Sequence, residues 1–204
     1  MLSSEEIVEK LQSAKTWQEK RLLINGLQIS QASDPMVIQA LIEVALKGEH
    51  KILQRAAVRR LGEIRDPTAV EPLIIVFQKS VPSVRFAAVR ALGQIRDAEA
   101  VEFLVAVLED EAEEKSVREA AAEALGKIAN DRAVRALVAA LEDENVSIQD
   151  KASLVLVEVG ASAVEPLIAA LSAENIATRQ RATVTLGEIG GQEGYRAAHC
   201  SIGR

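Results

Sequence analysis

Residues 84–101 read VRFAAVRALGQIRDAEAV, and 33 residues further on residues 117–134 read VREAAAEALGKIANDRAV. The two copies share small or apolar residues at fixed places around a Leu-Gly pair. In the first these are Val84, Ala87, Ala88, Ala91, Leu92 and Ile95, and in the second Val117, Ala120, Ala121, Ala124, Leu125 and Ile128. That spacing is the 3.6-residue stripe of an amphipathic helix, here called helix B. Outward from these copies the anchor pair recurs at Leu61-Gly62, Leu92-Gly93, Leu125-Gly126, Leu156-Val157 and Leu186-Gly187, at intervals of 31, 33, 31 and 30 residues. A period of this length predicts a solenoid, in which each unit buries its apolar face against its neighbours.

A second helical pattern, helix A, precedes each helix B. In DPTAVEPLIIVF (66–77) Asp66 is placed as N-cap with Pro67 at the first helical position, and Asp34-Pro35 repeats the device. Thr16 to Glu19 and Ser116 to Glu119 read as capping boxes that open two B helices. The first 52 residues diverge from the template but keep helical periodicity. The expectation is one array over 1–204: divergent repeats at 1–52, regular ones at 53–190, and a partial C-terminal cap at 191–204. That cap follows a helix stop at GEIGGQEG (187–194), with a new helix beginning at Tyr195. This gives about six antiparallel helix pairs between residues 4 and 189. Glycine inside a helix costs about 1 kcal/mol against alanine, so anchors repeated in register imply close approach of a neighbouring backbone. Val157 breaks the rule, Lys151 replaces a small stripe residue, and Ala163-Val164 arrives one residue early. Irregular packing is expected there.

Composition agrees with an all-α reading. Apolar residues make up 49% of the 204 residues and aromatics 2%, so Ala, Leu, Val and Ile must build the interior. The single cysteine, Cys200, excludes an internal disulfide, and the charged N-terminus MLSSEEIVEK lacks a secretory core. Aliphatic runs such as LIIVF (73–77) are far shorter than the roughly 20 residues that span a bilayer. A cytoplasmic protein is expected.

VRFAAVRALGQIRDAEAVEFLVAVLED and VREAAAEALGKIANDRAVRALVAALEDE closely resemble HEAT-like repeats of the phycobilisome (PBS) lyase type, strongly over about 53–190. The resemblance implies a right-handed α-solenoid whose B helices line the concave surface. It also implies a ladder in which Arg at the start of helix B pairs with an acidic residue of the preceding turn. Carried over, the ladder residues are Arg85, Arg118 and Arg179 with Asp110, Asp143 and Glu174; Gln54, Gln149 and Ser80 depart from it. Proteins with this repeat include bilin lyase subunits, deoxyhypusine hydroxylase and alkylpurine DNA glycosylase relatives, so the fold does not choose an activity.

The catalytic inventory is thin. His50 and His199 lie far apart and neither belongs to the His-Glu pairs by which the hydroxylase branch holds iron. His199-Cys200 lacks the separated ligands of a zinc site, and GEIGGQEG lacks the Lys-Ser/Thr of a phosphate loop. No catalytic residue, metal or cofactor is expected. EDEAEEK (109–115) carries a two-residue insertion and reads as a solvated turn. Charge is the informative feature: residues 51–96 hold nine Lys/Arg and three Asp/Glu, residues 97–175 six and eighteen. The acidic second half argues against a sustained nucleic-acid groove. Positions six, three and two before the anchor should face the concave side, giving Arg55, Val58 and Arg59, then Phe86, Val89 and Arg90, then Glu119, Ala122 and Glu123, then Asp150, Ser153 and Leu154. Arg55, Arg59, Phe86, Val89, Arg90 and Leu154 are the expected partner-binding residues, because Arg and aromatic side chains dominate interface hot spots. The expected function is a non-enzymatic protein-binding scaffold whose partner offers an acidic, partly apolar segment. The alternative is a bilin lyase subunit or phycobiliprotein-handling factor.

Overall fold

The computed structural model describes the backbone of residues 2–202 and the side chains of residues 2–191. The described backbone is helical throughout, without a strand. Its helices are α1 (Ser4–Ser13), α2 (Trp17–Gly26), the single turn α3 (Ile29–Ala32), α4 (Pro35–Lys47), α5 (Lys51–Ile64), α6 (Val70–Lys79) and α7 (Pro82–Ile95). They are followed by α8 (Val101–Glu109), α9 (Lys115–Ile128), α10 (Asp131–Ala139), α11 (Val146–Val159), α12 (Val164–Ala170) and α13 (Ile176–Ile202). Short 3-10 turns lead into α6, α8 and α12.

The chain divides into two units, Met1–Phe103 and Leu104–Arg204, with the division inside α8. In the first, α1/α2, α4/α5 and α6/α7 are packed pairs; α1, α4 and α6 lie side by side in one layer and α2, α5 and α7 in the other. In the second, α9, α11 and α13 form the B layer and α10 and α12 the A layer. The anchor leucines Leu61, Leu92, Leu125 and Leu156 are fully buried between the layers. Burial contributes on the order of 2 kcal/mol for each.

Four B helices, α5, α7, α9 and α11, are each 14 residues long. The first three end alike. Arg65, Arg96 and Ala129 take left-handed conformations (φ 62°, 62° and 52°), and their N–H groups donate to Leu61 O, Leu92 O and Leu125 O. Asp66, Asp97 or Asn130 then caps the next turn by accepting from a backbone N–H. At the end of α11 this two-residue device shrinks to Gly160 (φ 72°, ψ −128°), and the 3-10 turn Gly160–Ala163 has no side-chain cap. This is why Ala163-Val164 arrives a residue early: the irregularity expected in this repeat sits in its turn. An 18-residue window within residues 146–170 is apolar enough by composition to cross a bilayer (mean hydropathy 1.6), but Gly160 breaks the segment into α11 and α12, which bury Leu156 and Leu167 in the core.

Three of the anchor glycines differ in what surrounds them. A Cβ on Gly62 would lie 2.8 Å from Ala91 Cα, so α5 and α7 approach closely there, as expected. On Gly126 it would overlap the Val155 side chain rather than backbone, and on Gly187 it would meet nothing within 4 Å. Three expectations about helix ends need correction. Thr16–Glu19 is half a capping box: Thr16 Oγ1 accepts from Glu19 N, but the Glu19 carboxylate accepts from Lys15 N. Ser116–Glu119 is not a capping box, because α9 begins at Lys115 with Glu114 as N-cap and no side-chain cap bond. GEIGGQEG does not stop the last helix: none of its glycines has positive φ and no proline intervenes, so α13 runs on to Ile202 and no new helix starts at Tyr195. The side chains of Tyr195, His199 and Cys200 lie outside the described residues.

Candidate functional site

Three successive B helices of the first unit line a groove of about 490 Å³. Each contributes residues four apart, hence on one helical face. They are Arg21 and Asn25 from α2, Arg55 and Arg59 from α5, and Phe86 and Arg90 from α7. Ile52, Ala56 and Ala87 supply apolar lining, and Glu63 is the one carboxylate among the lining residues. Arg59 donates to Asn25 Oδ1 at 2.8 Å and lies 3.7 Å from Glu63 Oε1. The Arg90 guanidinium sits over the Phe86 ring, 5.8 Å from its centre. Arg55 makes no hydrogen bond or ion pair among the described residues and is exposed.

The foundation of the groove is fixed by buried polar contacts. Arg60, 8% exposed, donates to Ile24 O and Asn25 O and pairs with Glu63 at 2.8 Å, tying the end of α2 to α5. Those carbonyls lie in the last turn of α2, where Ile24 O also accepts a long bond from Leu27 N, and a guanidinium satisfies them. At the other end His50 caps α5 through Nδ1, which accepts from Ile52 N at 3.3 Å, while its ring stacks on Trp17 at 4.0 Å. Arg21 lies over the other partner in this stack, 5.6 Å from the Trp17 ring centre, and its buried Nε has no protein acceptor.

The groove thus gathers four expected residues, Arg55, Arg59, Phe86 and Arg90. Val89 is a correction: it is fully buried, as are Val58 and Ala122 at the same register. Three residues before the anchor is a rotation of about 60° from it on a helix, and a B helix flanked by two other B helices and an A helix buries an arc that wide. Leu154 is exposed but belongs to the second unit, where it lines a separate groove with Asp150, Arg181 and Val184. Sequence reading missed Arg21, Asn25 and Glu63. Counting back 34 residues from Leu61 reaches Leu27, whose sixth and second predecessors are Arg21 and Asn25. Divergence of the surrounding residues hid this repeat.

The expected ladder exists in a different form. Residues seven before the anchor project into the interior and donate to backbone carbonyls that end the preceding helix. Gln54 donates to Ala45 O, Arg85 to Ser80 O, Arg118 to Leu108 O, Gln149 to Asp143 O, and Arg179 to Ala173 O and Glu174 O. The glutamines that depart from the arginine pattern therefore do the same work, since an amide N–H also satisfies a carbonyl. Arg118 additionally pairs with Asp143, in the turn of the next repeat. Asp110 instead uses its carboxylate to accept from Ala112 N, and Glu174 contributes its backbone carbonyl.

The B-helix face of the second unit is acidic. Lys151 of α11 donates to Glu123 of α9 at 2.8 Å. The hydrogen bond from Glu123 raises the Lys151 pKa above 10.5, burial opposes it, and the fields of Glu123, Glu119 and Glu158 add to the rise. Arg181 pairs with Asp150 at 2.7 Å. Among the described residues no group of three or more His, Cys, Asp or Glu side chains is placed to hold a metal ion.

Paired helices in two layers, with a repeated polar rung, define an α-solenoid. The HEAT repeats family matches residues 38–114 and 71–156, more than half of the chain, which belongs to this family. Solved structures agree on the fold. An engineered protein aligns over 94% of this chain and 98% of its own, with 23% identity and a TM-score of 0.57. The complex of CpcE and CpcF of phycocyanin lyase from Nostoc sp. PCC7120 aligns over 93% of this chain and 78% of its own, with 24% identity and a TM-score of 0.62. No curated protein matches the sequence.

Proposed function

We propose that the chain is a non-enzymatic protein-binding scaffold, and that the groove on α2, α5 and α7 takes an acidic, partly apolar segment of a partner protein. The observation that carries this reading is the composition of the groove: four arginines against one carboxylate, with Phe86 and Ile52 between them. Guanidinium groups bind carboxylates in paired, charge-assisted hydrogen bonds, and a half-exposed aromatic ring gives an apolar side chain a place to bury. Capture from the native host with the wild-type chain and with Phe86→Ala/Arg90→Glu tests it. Proteins retained by the first should be lost by the second, and lost from the first as salt rises. Identical capture by both, with the variant folded, would defeat the proposal.

A second reading, a bilin lyase subunit or phycobiliprotein-handling factor, draws on the similarity to the CpcE and CpcF structure. Guanidinium groups beside an aromatic ring also suit an anionic ring compound. Copurification of a coloured tetrapyrrole or a phycobiliprotein subunit would select this reading; a colourless preparation with a bound acidic protein would select the first.

A further inference from the structure

The groove is a grid with two rows. Arg21, Arg55 and Phe86 stand six residues before the leucines at 27, 61 and 92; Asn25, Arg59 and Arg90 stand two before them. The 2.8 Å bond between Asn25 and Arg59 shows that α2 and α5 are level. In the second row Arg59 is already engaged by Asn25 and Glu63, and Arg90 lies on the Phe86 ring. Among the described residues, the two arginines of the first row pair with no carboxylate. Arg55 makes no polar contact, and the contact Arg21 makes is with the Trp17 ring. Neighbouring packed helices lie about 8–10 Å apart, and a chain in the polyproline-II conformation advances about 3.1 Å per residue and returns a side chain to the same face every third residue, so adjacent helices are three such residues apart.

We infer that the groove reads a partner segment in the polyproline-II conformation crossing α2, α5 and α7 with the pattern acidic–x–x–acidic–x–x–apolar, the carboxylates meeting Arg21 and Arg55 and the apolar side chain meeting Phe86. This rests on the proposed binding of an acidic segment and adds its spacing and conformation. An α-helical segment would place residues three apart only about 4.5 Å along its axis, and would not match consecutive helices at that spacing.

Two peptides of the same composition test the inference on the wild-type chain: SESSESSLS, with the inferred spacing, and SEESSSSLS, without it. The emission of Trp17, the single tryptophan, reports on Arg21 beside it. Titration at low salt should show the spaced peptide binding about tenfold more tightly, the worth of one charge-assisted hydrogen bond. Arg55→Ala should remove that preference. Equal affinity for both peptides, with binding lost in Arg55→Glu, would overturn the spacing and leave the acidic-segment reading in place. Binding of neither peptide would overturn both. An unchanged preference in Arg55→Ala would show that the spacing is read elsewhere, and would also defeat the inference.

Discussion

Gln54, Arg85, Arg118, Gln149 and Arg179 share one register and one task, which is to satisfy carbonyls at or just beyond the end of the preceding helix. Arg118, 4% exposed, does most, because it also neutralises Asp143. Arg118→Ala strands a carbonyl and a partly buried carboxylate together, and should cost about 3 kcal/mol in urea denaturation. Arg118→Gln keeps the carbonyl bond, as Gln54 and Gln149 do in their own repeats, and should cost about half as much. Lys151 allows a test by pH. Its folded pKa is raised, so the stability it contributes is fully present below the ordinary value of 10.5 and is lost as pH rises through the folded value. The difference in stability between the wild type and Lys151→Met should be constant from neutral pH to about 10 and shrink above that. It should be no more than about 1 kcal/mol, since Glu123 is substantially exposed.

At the scale of the element, the same substitution is expected to act with opposite signs in two B helices. Gly62→Ala gains up to about 1 kcal/mol of helix propensity but drives its methyl into the backbone of α7 at Ala91, and a shift of packed helices costs about 1–3 kcal/mol. Gly187→Ala in α13 meets nothing and keeps the gain. Thermal denaturation should therefore show a lower Tm for the first and a higher one for the second. This contrast also marks how far the sequence could be read. The Leu-Gly recurrence revealed the B helices and their period because four successive repeats, α5, α7, α9 and α11, bury the same leucine. It could not show that Gly187 lacks the neighbour that justifies Gly62, since a residue pattern records the repeat and not what packs on it. Arg55, Arg59, Phe86 and Arg90 were legible as a site because their register is common to α5 and α7. Val89 was misread because a simple amphipathic stripe is narrower than the face a B helix buries between three neighbours. Arg21 and Asn25 were hidden by divergent surroundings in α2, although their register is the same.

For the whole molecule the question is whether residues 1–103 and 104–204 fold as one array. The division falls within α8, between Phe103 and Leu104. Leu104, Val105 and Leu108 are buried just beyond it, and Phe103 packs edge-on against Phe77 just before it, with ring centres 5.0 Å apart. In a solenoid, stability is a sum of repeat terms and nearest-neighbour terms, so a weakened repeat lowers the protection of its neighbours more than that of distant repeats. Leu61→Ala, a loss of about 2–5 kcal/mol in the core of α5, should therefore speed amide exchange most in α4 to α7, measurably in α8 and α9, and least in α11 and α12. Unchanged exchange in residues 101–128 would mean that the units unfold independently. A uniform increase along the chain would mean that the array opens as a single cooperative block, leaving neighbour terms with no local meaning.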